Sequence, residues 1–223
     1  MFAGHIGVAL AGARAEPRVN VGVLTAASLL LDILLWVFVL LGRESVEIPA
    51  DFSQTHQPLF VFPYSHGLIA SVVWSTLAGA LVFWLCKNRR SVELRTAFLV
   101  AGVVFSHWLL DALVHRPELP LMGTASAKVG VGLWNHLPIA LTIEAALVFA
   151  GLFLYLPRRG LSRRRTLAFA GVVVLTLVFT LVGMTMAPPP PSAAAMAGSS
   201  LGIIVLVCVL IGWLGNGARK RNP

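Results

Sequence analysis

The stretch FSHWLLDALVHRPELP, Phe105 to Pro120, sets His107, Asp111 and His115 at four-residue intervals in an otherwise apolar run. Four helical steps return a side chain to nearly the same face about 6 Å further along the axis. An imidazole and a carboxylate so placed can hold one ion together, or can simply hydrogen-bond each other and neighbouring helices. Pro117 biases Arg116 away from helix and ends the run, which makes His115 a rim position, either a ligand or a surface histidine. Arg116 could clamp a phosphate or carboxylate with its planar fork, or snorkel from a helix end.

Other ionisable groups stand in similar company. His66 opens an apolar run in FPYSHGL, at a depth that an antiparallel neighbour could match with Asp111 or His107. Asp32 is midway along SLLLDILLW and Glu144 is central in another run. An unpaired carboxylate at such a depth costs a few kcal/mol, so each needs a partner or a cavity and is a functional candidate by default. Asn135, His136 and Pro138 precede Glu144 on the same side. Pro138 removes a backbone donor and frees the carbonyl of Trp134, giving a kink that serves either a site wall or plain packing. His56 reads as a solvated loop residue. Both cysteines, Cys86 and Cys208, lie inside apolar runs and read as packing residues, which excludes a disulfide framework and a thiolate cluster. Imidazoles and carboxylates without thiolates suit a divalent metal, zinc first, with manganese or iron as alternatives.

The elements that must position these groups follow from composition. The chain has 223 residues, is 57% hydrophobic and only 12% charged, and its mean hydropathy is +0.85; that is the make-up of an integral membrane protein. Apolar runs at about Val21 to Gly42, Ser65 to Cys86, Leu94 to Val114, Val131 to Leu156, Thr166 to Met186 and Ala193 to Leu214 each approach the ~20 residues of a spanning helix. The expected fold is an all-α polytopic membrane helical bundle of six transmembrane helices. Met1 to Ala13 is too short to cross and should form a half-inserted or interfacial helix. One domain, 1–223, is expected, with a motif-bearing core over 1–156 and accessory spans over 166–215.

Of the 17 Lys and Arg, only Arg43, Arg116 and Lys128 fall in one set of alternating loops. The rest, among them Lys87, Arg89, Arg90, Arg219, Lys220 and Arg221, fall in the other set or at the C-terminus. That bias sets the C-terminus in the cytoplasm and Glu44, Glu47, Asp51 and Glu118 outside. The net charge of +8 is therefore a topology signal and not a nucleic-acid footprint. The APPPPSAAA segment reads as a stiff outer connector. No phosphate-binding glycine loop, heptad seam or inverted repeat is present.

Taken in order, GHIGVALAG, LLLDILLW, YSHGL and SHWLLD resemble the YdjM-like family of bacterial inner-membrane proteins, described as membrane-bound metal-dependent hydrolases, over about the first half of the chain. The resemblance implies His5, Asp32, His66, His107 and Asp111 as the metal or catalytic set. Leu34 replaces the second aspartate of the family's pair, and the His-Arg preceding its THS-like element is missing before Tyr64, which speaks against a two-metal centre. HRPELPL, GVGLWN and PPPPS are similar to a narrower group of six-span proteins.

The leading expectation is a metal-dependent hydrolase in the inner (plasma) membrane, acting from the outer side on an amphiphilic or lipid-like ester or phosphoester. His66, His107 and Asp111 would be ligands, with Asp32 or Glu144 as fourth ligand or general base, and His115, Arg116 and Asn135 at the substrate rim. Its partners would be membrane lipids and no nucleic acid. Two alternatives stand beside it: a proton- or cation-coupled transporter or channel relaying through Asp32, Glu144, His107 and Asp111, and a structural or partner-binding protein whose polar groups serve packing.

Overall fold

Backbone groups inside a bilayer have no water to bond, so apolar runs of this length become helices. The computed structural model describes residues 1–85 and 90–216; Cys86, Lys87, Arg89, Arg219, Lys220 and Arg221 lie outside the described residues. In chain order the helices are α1 (Ala3–Ala15), α2 (Val21–Ser28), α3 (Leu30–Leu40), the one-turn α4 (Phe52–Thr55), α5 (Leu68–Leu85), α6 (Arg90–Val114), α7 (Leu137–Tyr155), α8 (Arg163–Thr185) and α9 (Ala193–Gly215). The last five are each long and apolar enough to cross a membrane. Two short antiparallel pairs, β1 (Ser45–Glu47) with β2 (Leu59–Val61) and β3 (Leu119–Pro120) with β4 (Lys128–Val129), brace the loops at one end of the bundle. The fold is an all-α helical bundle.

The run expected as one span from Val21 to Gly42 is instead a bent pair, α2 and α3, meeting at 56° around Leu29. Neither proline nor glycine causes the bend. Thr25 Oγ1 donates to Val21 O and Ser28 Oγ to Thr25 O, both at 2.9 Å, back-bonds that loosen a helix. At the break the Ser28 carbonyl accepts from His107 Nδ1 at 2.7 Å, so a side chain takes a place in the backbone ladder. One consequence is that Asp32 falls in the first turn of α3, where the helix dipole favours a carboxylate.

α7 also departs from expectation. A 3-10 turn, Leu133–His136, precedes it, and Pro138 sits in its first turn. The proline starts the helix and does not kink it, since a missing N–H costs nothing there. The Trp134 carbonyl is left free as expected and accepts from Gln57 Nε2 at 3.0 Å.

Of the two expectations for α1, the half-inserted one is observed: the helix is threaded into the bundle, with Ile6, Ala9, Leu10 and Ala13 fully buried. Thirteen residues reach about 20 Å, short of a ~30 Å core. A Cβ on Gly7 would run into the backbone of Leu147 and Val148, and one on Gly151 into that of Gly7. Inside lipid, helices associate by such close approach of small residues more than by hydrophobic burial. The ends of α1 are satisfied by charge. Glu144 accepts from Phe2 N at 3.1 Å and Gly4 N at 2.6 Å, while Arg95 donates to Ala15 O and Arg159 to Ala13 O and Pro17 O at 2.9–3.1 Å. A carboxylate at the N-terminus and guanidinium groups at the C-terminus both complement the dipole. α1 therefore enters from the end of the bundle that carries the arginine-rich loops.

Candidate metal centre

Two imidazoles face each other at the centre of the bundle, with His66 Nε2 and His107 Nε2 3.2 Å apart. Their other nitrogens settle what those atoms carry. His107 Nδ1 contacts a backbone carbonyl, which can only accept, so the ring proton is on Nδ1. His66 Nδ1 is 2.8 Å from Ser65 Oγ, and that hydroxyl donates to Glu44 Oε2 at 2.7 Å; it must therefore accept from His66. Glu44 is itself fixed by Tyr64 N and Ser65 N, which donate to Oε1 at 2.7 and 2.8 Å. In the neutral rings both Nε2 atoms therefore present lone pairs to the same point. Two acceptors at that separation repel unless a metal ion or a proton lies between them.

Two carboxylates complete the cluster. Asp111 Oδ1 accepts from the Met1 nitrogen at 2.7 Å and lies 3.2 Å from His5 Nε2. Its Oδ2 is left facing His66 and His107, at 3.4 and 3.2 Å. Asp32 Oδ1 is 3.7 Å from each of the same two nitrogens. Bonds of about 2.0–2.1 Å at tetrahedral angles separate neighbouring ligand atoms by about 3.3–3.4 Å. The five separations of 3.2–3.7 Å among His66, His107, Asp111 and Asp32 fit that figure. The donor set, imidazole and carboxylate held by outer partners, suits zinc, manganese or iron. Two groupings can hold an ion, His66 with His107 and Asp111, and His5 with Asp32 and His107.

A cavity of about 360 Å3 reaches the cluster. Asp32, His66, Asp111, His115 and Glu144 form its polar end, and its remaining wall is largely apolar, from α3, α8, α9 and the loops above them. The Asp32 side chain is 18% exposed against 2% or less for His66, His107 and Asp111, so Asp32 is the most open of the four. His115 Nδ1 bonds Glu118 Oε1 at 2.5 Å, while its Nε2 is 3.7 Å from Asp111 Oδ2. That ring packs against Trp134, Phe60 and Phe62. His115 is thus buried, not a surface histidine, and it lines the cavity beside the two groupings without belonging to either.

The remaining predicted residues divide. His5 is fully buried and stacked on His107 with ring centres 3.8 Å apart. Glu144 shares the cavity, but both its oxygens cap α1. Arg116 does not line the cavity; it donates through Nε and Nη2 to Gln57 Oε1 at 3.2 and 2.8 Å. Asn135 is exposed and stands outside the cavity wall. His56, expected to be merely solvated, holds a left-handed φ of 50° and bonds Ala187 O through Nδ1 at 2.9 Å. Sequence reading missed Glu44, Ser65, Ser28 and Glu118. Ser65 and Glu118 had a signal, a hydroxyl adjacent to one histidine and a carboxylate three residues from another. The Ser28 carbonyl had none.

These features define a multi-pass helical membrane protein with a buried His/Asp cluster able to hold a metal ion. No protein-family model, curated protein or solved structure matches the chain.

Proposed function

We propose that the protein is a metal-dependent hydrolase of the plasma membrane whose site opens toward the outer leaflet and acts on an amphiphilic ester or phosphoester. The orientation rests on the arginine-rich loops, which place α1's C-terminal end and the chain's C-terminus in the cytoplasm. The observation that carries the reading is the common arrangement of His66, His107 and His115: each Nδ1 is tied outward, to Ser65, Ser28 O and Glu118, and each Nε2 points inward at the Asp111 carboxylate. Rings held from behind with their inner nitrogens on one carboxylate are the arrangement a metal ion would use. The motif resemblance to membrane-bound metal-dependent hydrolases agrees with it.

A divalent ion held there supplies Lewis-acid chemistry, drawing the pKa of a water toward ~7 and polarising an ester or phosphoryl oxygen. His66, His107 and Asp111 would hold it, zinc by preference. Asp32, the most exposed acid of the cluster, would take the proton of the attacking water. Asp32 would hand that proton on to the leaving oxygen, and His115, its Nδ1 held by Glu118, would line the cavity wall beside it. Glu144 is left to hold α1.

The transporter alternative is disfavoured by α1, whose buried Ile6, Ala9, Leu10 and Ala13 fill the bundle between the cluster and the basic end. The test is metal content of protein purified without chelator, by elemental mass spectrometry, in wild type, His107→Ala and Asp111→Asn at matched folding. Near-stoichiometric metal lost in both variants is the expected result, followed by hydrolysis of chromogenic phosphate or carboxyl esters that fails in Asp32→Asn. A metal-free wild type overturns the proposal.

A further inference from the structure

The outer side of the cavity is roofed by residues 52–58. His56 ties that segment to Ala187 in the proline-rich loop, and Gln57 ties it to Trp134 and Arg116. His56 adopts its left-handed conformation at the bend between the two ties, an arrangement that persists only where the surroundings enforce it.

Beneath the roof the cavity runs sideways between α8 and α9. Phe179 and Gly183 on α8 and Met196, Ser199 and Ile203 on α9 line it. Phe179 is 49% exposed and Ser199 is also exposed, although both belong to helices that cross the membrane. Residues that border the cavity and also face outward at membrane depth mark an opening onto lipid. A Cβ on Gly183 would meet nothing within 4 Å, so a larger side chain there has room to enter the cavity that Gly183 lines. The volume of about 360 Å3 is at the low end of ligand sites, which run from about 300 to 1,000 Å3. That suits a polar head and one chain.

We infer that a single-chain amphiphile reaches the His/Asp cluster sideways from the outer leaflet, between α8 and α9, its apolar chain lying along Phe179, Gly183, Met196 and Ser199 and its polar end at Asp32 and His115. The inference rests on the hydrolase reading for what becomes of the polar end, and on the cavity alone for the route. An apolar wall leading to a charged end provides for both parts of such a molecule, and the outward-facing Phe179 and Ser199 on that wall point to the bilayer as the source.

Trp36 is a buried reporter, 7% exposed and on the cavity wall. The experiment uses full-length protein in phosphatidylcholine nanodiscs, with the other tryptophans replaced by phenylalanine, and a lysophosphatidylcholine brominated on its chain. Trp36 fluorescence should be quenched, and the double variant Gly183→Phe, Ser199→Phe should abolish most of the quenching while leaving metal content unchanged. Quenching that is absent, or unchanged by the plug, overturns the route. Should the single-tryptophan protein fail to fold, native mass spectrometry of wild type against the plugged variant replaces it. The lysolipid adduct should be retained in wild type and lost in the variant, and equal retention overturns the route. Metal content separates the two proposals: metal without quenching sinks only the route, and quenching without metal sinks only the hydrolase.

Discussion

Replacing Glu44 by glutamine changes one atom and should disable His66 as a ligand. Glu44 Oε1 holds two backbone donors, Tyr64 N and Ser65 N, so the amide oxygen of Glu44→Gln must stay there. The amide nitrogen then takes the place of Oε2 and donates to Ser65 Oγ, which now accepts where it used to donate. The hydroxyl proton turns to His66 Nδ1, the ring proton moves to Nε2, and the lone pair facing the cluster is gone. Loss of an outer partner of a metal ligand costs 10–100-fold in affinity, or about 1.4–2.7 kcal/mol. Reversing the tautomer removes a ligand outright, so the upper figure of about 100-fold is expected. Zinc competition against a chromophoric chelator measures it, with circular dichroism confirming the fold. Ser65→Ala should fall in the same range, and the double variant should add little, because both act through one chain of hydrogen bonds. The same logic sets a pH dependence. Burial pushes the Glu44 carboxyl up, against the hydrogen bonds from Ser65 and Tyr64. A protonated Glu44 donates to Ser65 as the amide does, so acidification should release metal starting above the ordinary carboxylate range, and Glu44→Gln should lack that step. Unchanged zinc affinity in a folded Glu44→Gln protein refutes the relay.

Other substitutions probe the elements that hold the site. Gly151→Leu forces a side chain into the Gly7 backbone and should destabilise by about 1–3 kcal/mol or more, seen as a lower Tm, whereas Gly102→Ala, where a Cβ meets nothing, should leave Tm unchanged. Glu144→Ala strands the buried Gly4 N–H at a cost of about 1–3 kcal/mol; hydrogen exchange in α1 should rise even where metal is retained. Gln57→Ala unties Arg116 and the Trp134 carbonyl and should speed proteolysis within residues 52–58 without changing metal content.

What the sequence reveals here is set by which contacts have a local period. His107 and Asp111 share a face of α6 because four residues make about one turn, and their pairing is readable before any fold is known. The match in depth between His66 and α6 follows from counting inward from the same end of two antiparallel spans. Glu44 could not be placed that way. It reaches Ser65 across a β1–β2 pair whose strands are three residues each, too short to show alternation. The break at Leu29 was equally hidden, since Thr25 and Ser28 are ordinary in a membrane helix and the bend depends on a ring from α6 accepted at the Ser28 carbonyl. The depth of α1 was hidden for a further reason: an all-round apolar, small-residue helix of 13 residues has the same composition whether it rests on a bundle or fills it.

The broken helix and the threaded one answer the same physical problem. Charged groups at this depth survive only with partners, and side chains from straight spans cannot supply all of them. Bending at Leu29 turns one backbone carbonyl into a fixed acceptor for His107 and brings the positive end of α3 to Asp32. Threading α1 brings His5 against His107 and leaves the arginines at the far end to hold it in place. The cluster is thus built from backbone irregularities that lipid would not tolerate if they faced it. That explains why α1 and α2 are the most deeply enclosed helices, while α5 turns apolar residues such as Leu77, Leu81 and Trp84 outward. A helix whose backbone and polar side chains serve the site must be sheathed by others that do not, and the outer spans supply that sheath on every side except the gap between α8 and α9.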